Sequence, residues 1–383
     1  MIIMNEKIVS PLLRETINDL NLTVVKEGKD AQSFFSEEMN ETKMLTNSES
    51  CLTVLEKYQP SSKAYEWSKL LKDKGELRTI LSKMYPDYFY RVVKMTDLFD
   101  ISPVDLSFPL VLKPTMGYSS VGVYKVKSAD QWEESVEKLN VELMLSKNVH
   151  NSTVINGEQI LIEEWIQGEE YAIDGYYDEH GNPVILNMFK RMFKDEYDTS
   201  DRIYFTSKEV IEEIYDDTIA FMEKLQTVVP LHNYPVHFEV KKQGNKVIPI
   251  EINPLRFAGA GTTDLGMYAY GSNVYKHYFM GTSPNWNEIC EGMDDSIYSF
   301  SCAEIPMEIV RQNIEYIDHQ QFKQQFQTIL EYRELNVVDD RTFAIVFFKS
   351  TNLEENKAIL NLDLSLFIHH KEANVLIDKE GIS

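Results

Sequence analysis

Glu239, Glu251 and Asn253 are the first residues of this chain whose types and spacing suggest chemistry. Residues 235–240 and 246–252 read as the two strands of a hairpin around Gln243-Gly244-Asn245. Side chains alternate faces along a strand, so Glu251 and Asn253 share one face while Ile248, Ile250 and Ile252 take the other. On the partner strand His237 and Glu239 share a face, opposed by Val236, Phe238 and Val240. Two carboxylates and an amide oxygen on one face make a hard, oxygen-only site suited to Mg2+. That ion takes one or two carboxylates and completes its shell with water and phosphate oxygens. A two-residue Gly244-Asn245 turn would pair Gln243 with Lys246 and set Glu239 opposite Ile250. A shared face therefore demands an odd-length loop or a bulge; without one, the acids form an ordinary solvated face.

Lys113 ends the apolar run 108–112, a costly place for a lysine without an anionic partner. Behind it Gly117 and Gly122 flank Tyr118, Ser119 and Ser120, whose amides and hydroxyls could cradle a phosphate. The spacing matches neither a Walker A nor a GxGxxG loop, and a hairpin turn with a surface lysine fits it equally. Further on, an apolar strand leads into Glu163 and Glu164, and Glu170 follows the Gln167-Gly168 bend. Vicinal acids in a strand are usually edge decoration, although a nucleobase is held by strand-end backbone groups and a ribose by a carboxylate. The 8 histidines include no HExxH pair, and no GxSxG elbow is present. Covalent serine or cysteine catalysis is disfavoured.

The elements that must position these groups begin with composition. At 383 residues the chain has room for two or three domains of roughly 150 residues each. Its 38 basic and 61 acidic side chains leave a formal charge of -23, which repels nucleic acid and anionic membranes but not a nucleotide bound in a local basic pocket. A hydrophobic content of 43% is that of a folded globular protein. Cys51, Cys290 and Cys302 form no CxxC, so neither a disulfide framework nor a structural zinc site is expected. No apolar run has signal-peptide length and no stretch approaches eighteen apolar residues, so the expectation is a soluble, cytoplasmic chain.

Along the chain, residues 1–70 suggest a small α/β unit, and 67–85 one or two amphipathic helices ending before Pro86. Strand, Ser/Gly loop, strand and helix then follow over 108–139. Three more strands are expected near 160–166, 171–177 and 184–189. A helix capped by Thr206 and Glu209 has Val210, Ile211, Ile214, Phe221, Met222 and Leu225 as its apolar face. Residues 310–332 read as helix-rich, and 342–348 as a β run.

Taken together, Phe108-Pro-Leu-Val-Leu-Lys-Pro with Gly117-Tyr-Ser-Ser-Val-Gly, then Leu161-Ile-Glu-Glu-Trp-Ile-Gln-Gly-Glu-Glu-Tyr, then His237-Phe-Glu and Pro249-Ile-Glu-Ile-Asn-Pro-Leu-Arg, resemble the ATP-grasp superfamily of carboxylate–amine ligases. Each motif alone is weak; their order across about residues 70–270 is specific. The resemblance implies an α+β fold in which two lobes clamp ATP, at 71–165 and 166–290. A small α/β domain (1–70) precedes them and an α/β extension (291–383) follows.

It further implies that Lys113, and Lys74 upstream, contact the nucleotide phosphates under a loop carrying Tyr118, Ser119 and Ser120. Glu163, with the strand-end segment Glu164, Trp165 and Ile166, would hold the adenine, and Glu170 the ribose. Glu239, Glu251 and Asn253 match the positions of ligands to Mg2+, with Mn2+ an alternative, and Arg256 that of the arginine that steadies the substrate carboxylate or acyl-phosphate. Two departures matter. Leu255 intervenes between Asn253-Pro254 and Arg256, and either Lys190 or Arg191 fits the expected cation on its strand, although alternation lets only one face the site.

The implied activity is ligation of a carboxylate to an amine with release of ADP and phosphate, the substrates being amino acids, peptides or small metabolites. A carboxylate is a poor acyl donor until its oxygen is phosphorylated. Screening two anions then needs a metal and cationic side chains, which an acidic protein must supply locally. A non-catalytic nucleotide-binding protein and a biotin-carboxylase-like enzyme are the alternatives of the same fold. Neither nucleic acid nor membrane is an expected partner, and a homodimer is the default for a soluble oligomer.

Overall fold

The computed structural model describes residues 1–35, 43–117, 121–146, 156–196, 198, 200–337 and 341–371. The chain divides into two units, one of residues 1–191 and 206–294, the other of residues 192–205 and 295–383.

In the first unit, β1 (Ile2–Met4), β2 (Val24–Lys26) and β3 (Leu45–Thr46) form a parallel sheet in the order β2-β1-β3. The helix Pro11–Asp19 starts with proline where a missing N–H does no harm, and Ser10 caps it by accepting from the Leu13 amide at 3.1 Å. Ile2, Leu13 and Leu45 enter a core shared with Tyr176, Leu186 and Tyr278.

β4 (Tyr90–Lys94), β5 (Leu110–Met116), β6 (Tyr124–Val126) and β7 (Asn156–Glu164) make an antiparallel sheet ordered β4-β7-β5-β6. Leu110, Leu112, Ile160 and Ile162 pack on Trp132, Val136 and Leu139 of the helix Trp132–Ser146. Between the first two sheets in sequence, the expected helix is a pair, Lys63–Lys72 and Lys74–Leu81. They are divided at Asp73, whose carboxylate accepts from the amides of Gly75 and Glu76 at 2.8 and 3.0 Å.

β8 (Glu169–Tyr177), β9 (Pro183–Met192), β10 (Ile203–Thr206), β11 (Tyr234–Gln243) and β12 (Lys246–Pro254) come next. Within the first unit β12-β11-β8-β9 pair antiparallel in that order. The helix Lys208–Val228 buries the predicted apolar stripe, Val210 to Leu225. Its cap is not Thr206 but Ser207, whose hydroxyl accepts from the Val210 amide at 3.3 Å. Thr206 is completely buried at the end of β10 and is not placed to cap.

The β11–β12 register supplies what the hairpin needed. Gln243 pairs with Lys246, as a two-residue turn requires, but the ladder shifts between Glu239 and Val240. Val240 pairs with Pro249 and Glu239 with Glu251, leaving Ile250 as the extra residue of a bulge. That single insertion brings Glu239, Glu251, His237 and Asn253 onto one face.

The second unit contains β13 (Ile297–Glu304), β14 (Ile314–Ile317), β15 (Ile329–Glu334), β16 (Thr342–Ser350) and β17 (Ile368–His370). β10, β13, β16 and β15 are neighbours in that order, and β14 pairs with β17. The β run at 342–348 is present as β16, but the helix-rich reading of 310–332 is corrected. Helix there is confined to His319–Lys323 and a 3-10 turn at Arg311–Asn313, and the rest is largely strand. Ile314, Ile317, Ile329 and Tyr332 reach the Phe322–Phe343–Phe367 core from strands, so packing rather than helical period set their spacing. Among the described residues no helix is long and apolar enough to cross a membrane.

Gly168, at the bend before β8, has φ +119, and a Cβ there would lie 2.0 Å from the Lys242 carbonyl oxygen. Gly168→Ala is expected to destabilise the protein by about 2 kcal/mol or more, from left-handed strain and backbone displacement together. A denaturant midpoint equal to wild type would contradict this.

Candidate active site

Reading across the central sheet at β11 gives three polar rows on one face. Asn187, Asp174, His237 and Asn253 are successive partners in the first; Phe189, Ala172, Glu239 and Glu251 in the second. In the third Glu170 pairs with Lys241, and the Glu170 side chain meets Arg191 from β9. Alternation places all three rows on the same side.

Like charges directly opposite one another repel, so Glu239 and Glu251 need cations. Lys74 Nζ lies 3.1 Å from Glu251 Oε1 and donates to the Gly117 carbonyl, also at 3.1 Å. Lys72 Nζ lies 3.8 Å from the same Glu251 oxygen and pairs at contact with Glu49, from the 3-10 turn Glu49–Cys51. Burial opposes ionisation of Glu251, but Lys74 and Lys72 outweigh it and hold the carboxyl at about 2. Burial pulls the Lys72 ammonium down to about 7, against Glu251 and with Lys74 and Arg256 adding to the effect. Contact with the Glu49 carboxylate works in the opposite direction and favours the charged ammonium. Asn253 donates to Glu239 Oε1 at 3.3 Å.

A second charge cluster sits at the end of β7. Glu163, 3% exposed, accepts from Arg78 Nε at 2.5 Å and pairs with Lys113 Nζ at 2.6 Å. Burial works against its charge, but Arg78 and Lys113 prevail and hold its carboxyl at about 2. Arg78 also donates to the Pro249 carbonyl at 2.7 Å and lies over the Tyr88 ring. Its Nη2 is buried without a hydrogen-bond partner. Glu164 donates its amide to Phe89 O and receives Tyr88 Oη on its carbonyl, both at 3.1 Å. Tyr118, Ser119 and Ser120 lie outside the described residues.

Glu170 Oε1 accepts from Arg191 at 2.8 Å, with Lys241 Nζ 3.9 Å from its other oxygen. Arg191 is thus the member of its pair that reaches this face. Lys190 pairs with Glu169 and Glu213 at 3.1 and 3.3 Å, on the opposite side of β9. The structure does not bring it to the other predicted residues. Trp165 follows Glu164, and the ammonium groups of Lys125 and Lys241 lie 3.8 and 4.5 Å from its ring centroid. Ile166 is buried.

Asp174 anchors the remaining wall. It is fully buried and accepts from His237 Nδ1, the Ala258 amide and Thr263 Oγ1 at 2.8, 2.8 and 2.6 Å, and from Asn187 at 2.9 Å. The segment after β12 is therefore pinned to the sheet. Leu255 is buried with φ +56, an unusual backbone for a branched side chain, and its carbonyl accepts from Thr46. Past that turn Arg256 is half-buried, donates to the Phe257 carbonyl at 3.1 Å, and acts on Lys72 through its charge. Thr263 and Asp264 point inward, to Asp174 and to the Ser10 hydroxyl.

Sequence reasoning missed Arg78, Lys72, Glu49 and the Asp174–His237 pair. Lysine and arginine on buried helix positions were the available signal for the first two, while Glu49 carried none. Among the described residues no group of three His, Cys, Asp or Glu side chains is arranged to hold a metal. Two carboxylates and an amide suit an ion that brings its remaining ligands with it, as Mg2+ does on phosphates. The donor set Glu239, Glu251 and Asn253 fits that ion, and the unpartnered Arg78 Nη2 fits a nearby anion.

Residues 106–264 match the family model of the ATP-grasp domain. The alanine–anticapsin ligase of Bacillus subtilis is 28% identical over 181 residues, covering 44% of this chain and 37% of that protein. The chain thus spans well under half the length of this relative. Among solved structures, an L-amino acid ligase from Bacillus licheniformis superposes with TM-score 0.67 at 17% identity, over 97% of this chain and 98% of that one. An N5-carboxyaminoimidazole ribonucleotide synthetase in its ADP complex gives 0.65 at 13% identity, over 94% and 95%.

Glu163→Gln leaves two buried cations facing a neutral amide. The expected loss is about 3–5 kcal/mol of stability at pH 7, read from denaturant unfolding. Because the folded carboxyl titrates near 2 instead of 4.5, its stabilisation is complete above pH 4.5 and fades as pH falls toward 2. The variant's stability is therefore expected to fall less steeply across that window, and a parallel acid profile would refute the ion cluster.

Proposed function

We propose that this chain, whose residues 106–264 match the ATP-grasp domain, is an ATP- and Mg2+-dependent ligase that phosphorylates a carboxylate and joins it to an amine. The observation that carries this reading is the bulge-aligned Glu239–Glu251 pair, with Asn253 beside it and Lys72, Lys74 and Arg256 converging on the same place.

On this reading Glu239, Glu251 and Asn253 hold Mg2+, which when bound supplies charge neutralisation between the phosphates and the substrate carboxylate. Mn2+ would suit the same donors. Lys74 and Lys113 meet the phosphates beneath the loop of Tyr118, Ser119 and Ser120. Glu163 acts by fixing Lys113 and Arg78, which its two ion pairs support. The strand end at Glu164, Trp165 and Ile166 lies against the adenine. Glu170 takes the ribose while Arg191 holds its carboxylate in place. Arg256 steadies the substrate carboxylate. Lys190, on the outer side of β9, has no role in this assignment.

The reaction runs in two displacements. A substrate carboxylate oxygen attacks the γ-phosphorus and ADP leaves. The amine nitrogen then attacks the acyl carbon, phosphate leaves, and a proton is lost from nitrogen. Cations that stay fixed through both steps stabilise charge as it moves from the phosphate bridge to the acyl-phosphate. Relatives named for joining amino acids favour an amino acid as the carboxylate, and we assign that substrate class.

The test is release of ADP and phosphate from ATP and Mg2+ with amino acids supplied singly and in pairs. Turnover should require a particular amino acid and fall at least about a hundredfold in Glu251→Gln. Formation of AMP and pyrophosphate would sink the acyl-phosphate mechanism. Tight nucleotide binding without turnover on any acid would favour a non-catalytic protein.

A further inference from the structure

The second unit holds a cavity of about 310 Å3 whose residues have no part in the roles above. At the roughly 30 Å3 that a water takes up in the liquid, this is space for about ten waters, or for one small organic molecule. Its walls come from the residues leading into β10, from β13 and the turn after it, and from the chain that follows the helix Leu353–Leu360.

Those walls are fixed without a ligand. Arg341 donates from Nε to the Ile305 carbonyl at 3.0 Å, and from Nη2 to the carbonyls of Pro306 and Ile309, the latter at 3.1 Å. Arg202 Nη2 donates to the Leu362 carbonyl at 2.7 Å. Asp363 caps the 3-10 turn Leu364–Phe367 by accepting from the Ser365 amide and hydroxyl at 3.0 and 2.7 Å. Ile305 and Leu364, both part of the core of this unit, supply an apolar lining. Met307 is 82% exposed at the rim, with an unbranched side chain that adapts to what it covers.

The charged part of the lining decides the ligand. It consists of Arg202, Asp201, Glu304 and Asp363. Among the described residues the Arg202 guanidinium makes one hydrogen bond, to Leu362, which leaves its other N–H donors for an anionic group. Asp201 accepts from Tyr204 Oη at 2.7 Å and Asp363 is committed to its cap, whereas Glu304 is exposed at the end of β13. A lone anion would meet three carboxylates, and a lone cation the guanidinium. A hydrocarbon would strip water from all four charges and replace none of it. A zwitterion with an apolar side chain answers each part of the lining.

We propose that this cavity binds a free α-amino acid with a branched or aromatic apolar side chain. Its carboxylate lies on Arg202, its ammonium on Glu304, and its side chain on Ile305 and Leu364 beneath Met307. The site shares no residue with those that the ligase reading uses, and it requires neither nucleotide nor metal.

The experiment is calorimetric titration of the full chain, without nucleotide, with L-leucine and L-phenylalanine. The better binder is then compared with its analogues that lack the ammonium or the carboxylate, 4-methylpentanoate and isopentylamine in the case of leucine. Each analogue should bind at least about tenfold more weakly than the amino acid. Glu304→Gln, at an exposed position, should weaken binding about ten- to a hundredfold and leave the melting temperature unchanged. Arg202→Met, which also frees the Leu362 carbonyl, should weaken it as much. The affinity lost in Glu304→Gln should survive in Arg256→Met within about twofold, as for independent sites.

A diazirine analogue of leucine, photolysed on the wild-type protein, gives the location. Peptide mass mapping should find the label on peptides that contain residues 302–307 or 362–364, and excess leucine should suppress it. Absence of binding by either amino acid would overturn the proposal, as would equal affinity for an analogue lacking one charge. So would unchanged affinity in Glu304→Gln, or label confined to the first unit. Label in this cavity of a protein that turns over no acid would uphold the site and count against ligase chemistry alone.

Discussion

Two carboxylates stand directly opposite each other on β11 and β12, and the site is arranged around neutralising them. Facing like charges on a sheet are destabilising, the more so when partly withdrawn from water. Lys74 answers Glu251 from one helix and Lys72 from the one before it, with Arg256 beyond the end of β12. This local concentration of cations sits in a chain whose formal charge is -23.

The same rule recurs along the face. Glu163 is enclosed by Arg78 and Lys113, and Glu170 by Arg191 and Lys241. Glu163 and Glu251 are held ionised by their cations, and Glu170 is held in place by Arg191, before any ligand enters, which reduces the reorganisation needed during reaction. Arg78 carries an additional duty. By bonding both Glu163 and the Pro249 carbonyl it links the small antiparallel sheet to the strand bearing Glu251. A change at Arg78 therefore reaches both clusters.

Asp174 does the corresponding work for the chain after β12. With His237, Ala258, Thr263 and Asn187 as partners, a buried carboxylate replaces water entirely with protein donors. The cost of its burial is thereby met, and the loop that follows the left-handed turn at Leu255 acquires a fixed path. The residue that interrupts the expected Asn-Pro-Arg spacing is thus accommodated by backbone conformation, and Arg256 still lies close enough for its charge to act on Lys72.

Local pattern was sufficient for much of this protein. Strands of period two and the apolar stripe of the helix 208–228 depend on neighbours in sequence, and so did the motifs that placed Lys113, Glu163, Glu239, Glu251 and Asn253 on named elements. Their meeting did not. The bulge at Ile250 arises from pairing two strands, and the choice of Arg191 over Lys190 from the register of β9 against β8. The same limit explains residues 310–332, where apolar spacing compatible with a helix was satisfied by strands packing on Phe322 and Phe343. Glu49 and Lys72 are twenty-three positions apart with nothing in either segment to pair them. Which groups each element carries follows from the amino-acid order alone, because side-chain direction is set by local backbone geometry. Which charges face one another is settled only in the folded chain, because buried ions must find partners and those partners come from distant segments.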